Sequence, residues 1–202
     1  MRDSHFAWFA AATHIVAAAA MLLLLREGLP GAPDDQRIAW IASHRLSWTV
    51  GWLLWQLAAV SLMAFYAVVA MRVRGALAIA AMCTAAAGLS IDIASESRYI
   101  GILPDLRGAE FAALDRELEV LIGYAANGLY TVALILLVIA GWRILPRFAL
   151  WLAGPVVASG FALAVASLLH DPRLETITSA ILFPLFTLWI VVVGLWLRKN
   201  ES

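Results

Sequence analysis

The chain has 202 residues, of which 63% are hydrophobic and 14% charged, with 14 basic and 14 acidic side chains and no net charge. A soluble domain carries about a quarter charged residues, so this composition marks an integral membrane protein, and the balanced charge argues against a nucleic-acid partner. The single cysteine, Cys83, excludes an intramolecular disulfide and a cysteine-rich metal site; within the apolar run CTAAAG it reads as a buried small hydrophobe.

A spanning helix needs about 20 mostly apolar residues. Six segments qualify: 6–25, 46–71, 75–97, 117–142, 147–169 and 175–197. The first is longer than a signal-peptide core and ends in LLLLREG rather than a small-residue cleavage site, so it reads as a retained span. Pro30 and Pro33 end it, the basic MRVRG turn ends the second, Pro104 follows the third, Pro146 the fourth and Asp171-Pro172 the fifth. No linker or second domain is visible. The expected fold is all-α, one bundle of six transmembrane helices. Seven basic residues fall on each side, but those beside the termini, 72–74 and 143–147 sit in very short loops. That density places both termini in the cytoplasm.

Between the third and fourth spans, Phe111, Leu114, Leu118 and Leu121 have helical spacing. That helix either leads straight into the fourth span or lies on the surface as a lid. The tryptophans divide: Trp8, Trp142, Trp151 and Trp196 suit the cytoplasmic boundary and Trp40 and Trp48 the outer one, as aromatic belts do.

The third span ends GLSIDIASESRY. On a helix Asp92, Glu96 and Tyr99 share a face above Ala85 and Gly88. Ionisable groups at membrane depth are expensive and functional by default. The fourth span turns polar at a similar depth, with Tyr124, Asn127, Tyr130 and Thr131; the second carries His44, Arg45, Trp52 and Trp55; His170 ends the fifth. The expected site therefore has Asp92 and Glu96 as proton donor and acceptor, with Tyr99 and Asn127 completing the catalytic set. Tyr124, Tyr130, Trp52, Trp55, His44, Arg45, Arg98 and His170 would line the substrate. Bland roles compete: Arg98 or Arg45 neutralising interfacial acids, and amide and phenol groups as glue between helices. His14, Gln56 and Tyr66 read as packing. No histidine pair at i, i+4, HExxH motif, P-loop, dinucleotide fingerprint or nucleophile elbow is present, so no metal or cofactor is expected.

The stretches SHRLSWTVGWLLWQL, ESRYIGILP and ANGLYT, set among alanine- and leucine-rich spans, resemble those of the small multi-pass bacterial membrane proteins grouped under domains of unknown function. The resemblance runs over the whole chain. It implies the bacterial inner membrane and brings no activity with it. Sterol isomerases, membrane terpene cyclases and ceramidase-like hydrolases share the device of intramembrane acids, but none of their motifs matches here residue by residue. Three functions remain open: an acid/base enzyme acting on a lipid or isoprenoid-like molecule (isomerase, cyclase or hydrolase), a proton-coupled transporter, and a non-catalytic protein that binds a lipid or partner helix along the Ala85–Gly88 seam. The partner in each case is a membrane lipid or apolar small molecule, and a homo-oligomer stays open.

Overall fold

A computed structural model describes residues 2–201. Eight α-helices follow in chain order: α1 (Asp3–Ala20), α2 (Asp34–Ser43), α3 (Arg45–Val73), α4 (Ala76–Gly101), α5 (Gly108–Glu119), α6 (Asn127–Ala140), α7 (Arg147–Leu169) and α8 (Pro172–Lys199). Wide π-helical turns extend α1 (Met21–Leu25) and join α5 to α6 (Val120–Ala126). Six continuous helical stretches are long and apolar enough to cross a membrane: Asp3–Gly28, Arg45–Val73, Ala76–Asp105, Gly108–Ala140, Arg147–Leu169 and Pro172–Lys199. This is a multi-pass, all-helical architecture.

Local chemistry sets the breaks. Between α3 and α4 the chain reverses through Arg74 (φ 57°) and Gly75 (φ 92°), the latter in a conformation glycine adopts without strain. His170 closes α7 in the left-handed region. The next residue, Asp171, caps α8 by accepting from the backbone N–H groups of Arg173 and Leu174, both at 3.0 Å, with Pro172 in the first turn.

The spanning helices pack as a closed ring in chain order: α1 on α3, α3 on α4, α4 on α6, α6 on α7, α7 on α8, and α8 back on α1. Helices in lipid gain little from hydrophobic association and rely on close contact. Small residues supply it at the α1–α8 seam, where a Cβ on Gly194 would lie 2.8 Å from that of Ala7. Ser4 N–H donates to Glu201 Oε1 at 2.6 Å and Arg72 Nε to Asp3 Oδ2 at 2.6 Å, so both termini and the α3–α4 turn share one end.

Two cores fill the ring. The core nearer the termini includes Phe65, Tyr66, Leu137, Trp189 and Val193. The distal core includes Leu25, Ile41, Trp48, Tyr99, Leu103, Phe111 and Leu118. Between the first two spans lies α2, which PDDQ opens with two acids at the dipole's positive end. Arg37 of α2 is buried and forks onto Asp115 of α5, Nη1 to Oδ2 and Nη2 to Oδ1, both at 2.8 Å. Its Nε donates to the Gly28 carbonyl at 2.9 Å, and its guanidinium lies 5.2 Å from the Phe111 ring centroid. Burial opposes the charge, but the hydrogen bonds and charge of Asp115 outweigh it and raise the Arg37 pKa. The segment around Phe111 is thus a lead-in continuous with the fourth span, clamped by α2.

Two further readings are corrected. Trp48 is fully buried, and its Nε1 donates to the Tyr99 carbonyl at 2.7 Å rather than standing in a boundary belt. Cys83 is exposed on the outward face of α4 rather than buried.

Breaking a buried ion pair from one side costs about 3–5 kcal/mol, whereas an exposed pair is worth about 0–1 kcal/mol. Asp115→Asn is therefore expected to lower the thermal midpoint of the detergent-solubilised protein markedly. Asp105→Asn, which removes the exposed partner of Arg45, leaves it nearly unchanged. Equal effects would contradict the assignment of Arg37–Asp115 as the distal clamp.

Candidate functional site

Between the two cores the ring is not filled. A cavity of about 170 Å3 lies there, lined by residues from all six spanning stretches. Its floor uses Tyr66, Leu134 and Phe186 of the first core; Trp52 belongs to both the cavity wall and the distal core. The lining is mainly apolar and aromatic, and the polar groups converge from α4 and α6.

Asp92 and Glu96 both line it, and both are buried, at 8% and 2% exposure. They stand one turn apart on the face of α4 that also carries Ala85 and Gly88. Gly88 brings α6 close: a Cβ there would lie 3.2 Å from the Ala126 carbonyl oxygen and 3.2 Å from Tyr130 Cε1. That approach lets Tyr130 Oη donate to Asp92 Oδ2 at 3.2 Å. Tyr66 Oη in turn donates to the Tyr130 carbonyl at 3.4 Å. Glu96 Oε2 is buried without a hydrogen-bond partner, as are the indole N–H groups of Trp52 and Trp55.

Asn127, Tyr130 and Thr131 line the cavity, but Tyr124 does not. It points outward at 46% exposure. The reason is the π turn Val120–Ala126: i→i+5 bonding takes more residues per turn, so a residue three before Asn127 no longer comes round beneath it. In Tyr124's place the turn presents Ile122 and Gly123 to the cavity. Asn127 Nδ2 donates to the Gly160 carbonyl of α7 at 2.8 Å, a contact between helices.

Tyr99 sits behind the wall. Its ring stacks on Trp52, centroids 4.5 Å apart and planes 3° from parallel, and its hydroxyl donates to the Asp115 carbonyl at 3.4 Å. The remaining candidates lie at the distal surface. His44 is exposed and stacks on Trp40. Arg45 pairs with Asp105, Arg98 with Glu117 at 2.6 Å, and His170 Nδ1 lies 3.3 Å from Glu119 Oε2. Neither Arg45 nor Arg98 thus neutralises Asp92 or Glu96; each is taken by a nearer acid on the loops.

Sequence reasoning missed two polar members of the wall, as well as Phe183 and Phe186 of α8. His14, read as packing on the wrong half, lines the cavity, with Nδ1 donating to the Ala10 carbonyl at 2.7 Å and the ring edge-on to Phe186. Its depth at mid-helix in α1 was the available signal. Tyr66 also lines it. Gln56 does pack, its Nε2 donating to Ser97 Oγ at 3.2 Å. Among the described residues, no three His, Cys, Asp or Glu side chains gather as metal ligands.

The wall packs tightly at Gly123, where an added Cβ would fall 1.9 Å from Ser167 Oγ and 2.5 Å from Ser167 Cβ. Gly123→Ala is expected to lower the thermal midpoint through this overlap, and Ser167→Gly in the same chain to restore most of the loss. A double variant no better than Gly123→Ala alone would contradict the contact. Comparison of the chain with family models, with curated proteins and with solved structures finds no match in any of the three.

Proposed function

We propose that this chain is an intramembrane acid/base enzyme of the bacterial inner membrane, with cytoplasmic termini, that acts on a small apolar molecule or the reactive end of a lipid. One observation carries the reading: a carboxyl pair, one member held by a phenol and the other with an unpartnered oxygen, lines a cavity that every spanning helix helps to build. A buried carboxyl without a partner is costly, which is the mark of a group kept for chemistry rather than packing. A cavity reaching Asp92 also favours this over a scaffold, since the Ala85–Gly88 seam is occupied by α6 of the same chain.

The roles follow from position. Glu96, in its protonated form, gives a proton to one carbon of a double bond. Asp92, oriented by Tyr130, takes one from a neighbouring carbon, and the double bond shifts. The pair then re-equilibrates its proton between side chains one helical turn apart. Atoms and charge balance without cofactor or water, so isomerisation or cyclisation fits this lining better than hydrolysis. Trp52, Trp55 and Phe183 hold the hydrocarbon, and their ring faces stabilise positive charge that develops on it. Tyr99 is a positioning residue that acts through Trp52.

Size limits the substrate. A cavity of about 150 Å3 in another protein holds one benzene, so about 170 Å3 admits a ring or a short branched chain. A larger lipid enters only by its reactive end.

A second reading, proton-coupled transport, is favoured by Pro155 and Pro184. Each lies inside a helix, beside the cavity residues Val156 and Phe183, and interrupted helices at a central site suit transporters.

The test begins with mass spectrometry of the apolar molecules released from detergent-purified protein, followed by turnover of that class. Asp92→Asn and Glu96→Gln are each expected to cut turnover about 100-fold or more, the range of general acid/base catalysis. Ala59→Phe, which fills the cavity from α3, abolishes turnover while leaving the thermal midpoint near that of the parent. Undiminished turnover in both acid variants rules the enzyme out; proton-driven uptake into proteoliposomes that requires both acids establishes the transporter instead.

A further inference from the structure

Two carboxyls and one imidazole, that of His14, line the cavity, and the imidazole Nδ1 is already taken by the Ala10 carbonyl. Among the described residues no arginine or lysine lines it. Three basic side chains of the distal end are paired elsewhere: Arg37 with Asp115, Arg45 with Asp105 and Arg98 with Glu117. Glu96 is 2% exposed and one of its oxygens has no partner at all, while Asp92 has a single phenolic hydrogen bond. Buried charge is normally paired, and among the described residues no arginine or lysine is placed to pair it.

The rest of the wall has the chemistry that complements this gap. Trp52, Trp55, Tyr66, Tyr130, Phe183 and Phe186 surround the space. Aromatic faces carry negative quadrupole potential and attract organic cations, more strongly as the site is desolvated. Carboxyls and aromatic rings lining one cavity make a recognition surface for an ammonium group attached to hydrocarbon.

We propose that the cavity binds a small organic ammonium ion, with its nitrogen at Asp92 and Glu96 and its hydrocarbon against the rings. This rests on the reading of the cavity as a small-molecule site and names the class of molecule: an apolar amine of about the size of a substituted benzene, set by the volume of about 170 Å3. The amine supplies the counter-charge that the helices lack. In the enzyme it is the substrate's anchor, holding the reacting carbons beside the two carboxyls that give and take the proton.

The test compares two probes of the same shape, benzylammonium and benzyl alcohol, by titration calorimetry on the full chain in lipid nanodiscs at neutral pH, with empty nanodiscs subtracting partition into lipid. Benzylammonium is expected to bind at least tenfold tighter than the alcohol. Asp92→Asn combined with Glu96→Gln should bring the ratio to about one while alcohol binding persists, which also shows that the variant is folded. Ala59→Phe should remove both. Equal binding of the two probes to the parent protein overturns the ammonium assignment yet leaves a site for neutral apolar molecules and the acid/base reading intact. A ratio unchanged in the double variant overturns it as well, since the selectivity then arises elsewhere. Binding of neither probe overturns both readings together.

Discussion

Asp92 and Glu96 fix the rotation of α4, and much of the bundle depends on that rotation. In a helix apolar enough to cross a membrane, two carboxyls one turn apart leave a single acceptable orientation, with their face toward the bundle interior. Because side chains at i and i+4 share a face, the same rotation turns Ala85 and Gly88 inward and Tyr99 into the distal core. Gly88 admits the α6 backbone, and α6 brings Tyr130 onto Asp92. One electrostatic constraint thereby selects both the helix neighbour and the hydrogen bond that orients the acid.

The ring then poses a packing problem. Six helices around an axis leave a central space that side chains must fill, and here the large ones gather in two layers. Phe65 and Trp189 meet edge-on, centroids 5.7 Å apart, in the layer near the termini; Trp48 and Trp52 do the same at 5.6 Å in the distal layer. The space between them is bordered by small residues such as Ala58 and Ala59. Filling it would have needed only larger side chains at these positions. Instead, the wide turn Val120–Ala126 adds a residue at the wall, and such turns recur at functional sites.

The spans were legible in the sequence because hydropathy is one-dimensional: it needs only a run of about 20 apolar residues. The acid pair was legible because charge inside such a run stands out. What stayed hidden required knowledge of the third dimension. Tyr124 was assigned to the Asn127 face by α-helical spacing, and no residue pattern announces a π turn that changes the spacing. Arg45 and Arg98 were available to Asp92 and Glu96 by depth alone, but loop geometry placed Asp105 and Glu117 nearer. His14 was excluded because the cavity was expected at one depth, whereas an opening between two aromatic layers extends along the axis to reach α1. Arg37 and Asp115 lie 78 residues apart, and nothing local pairs them.

That last pair matters to the cavity although it does not touch it. Arg37 joins α2 to α5, and α5 continues through the π turn into α6, so the clamp holds the stretch on which Ile122, Gly123 and Asn127 are placed. Tyr99 ties the same region to α4, its hydroxyl on the Asp115 carbonyl and its ring against Trp52. A chain of rigid contacts therefore runs from the distal cap to the cavity wall: Arg37, Asp115, Tyr99, Trp52. If the ligand enters from the distal end, this is the wall that must yield, and the one salt bridge that is both bidentate and buried stands at the place where yielding would start.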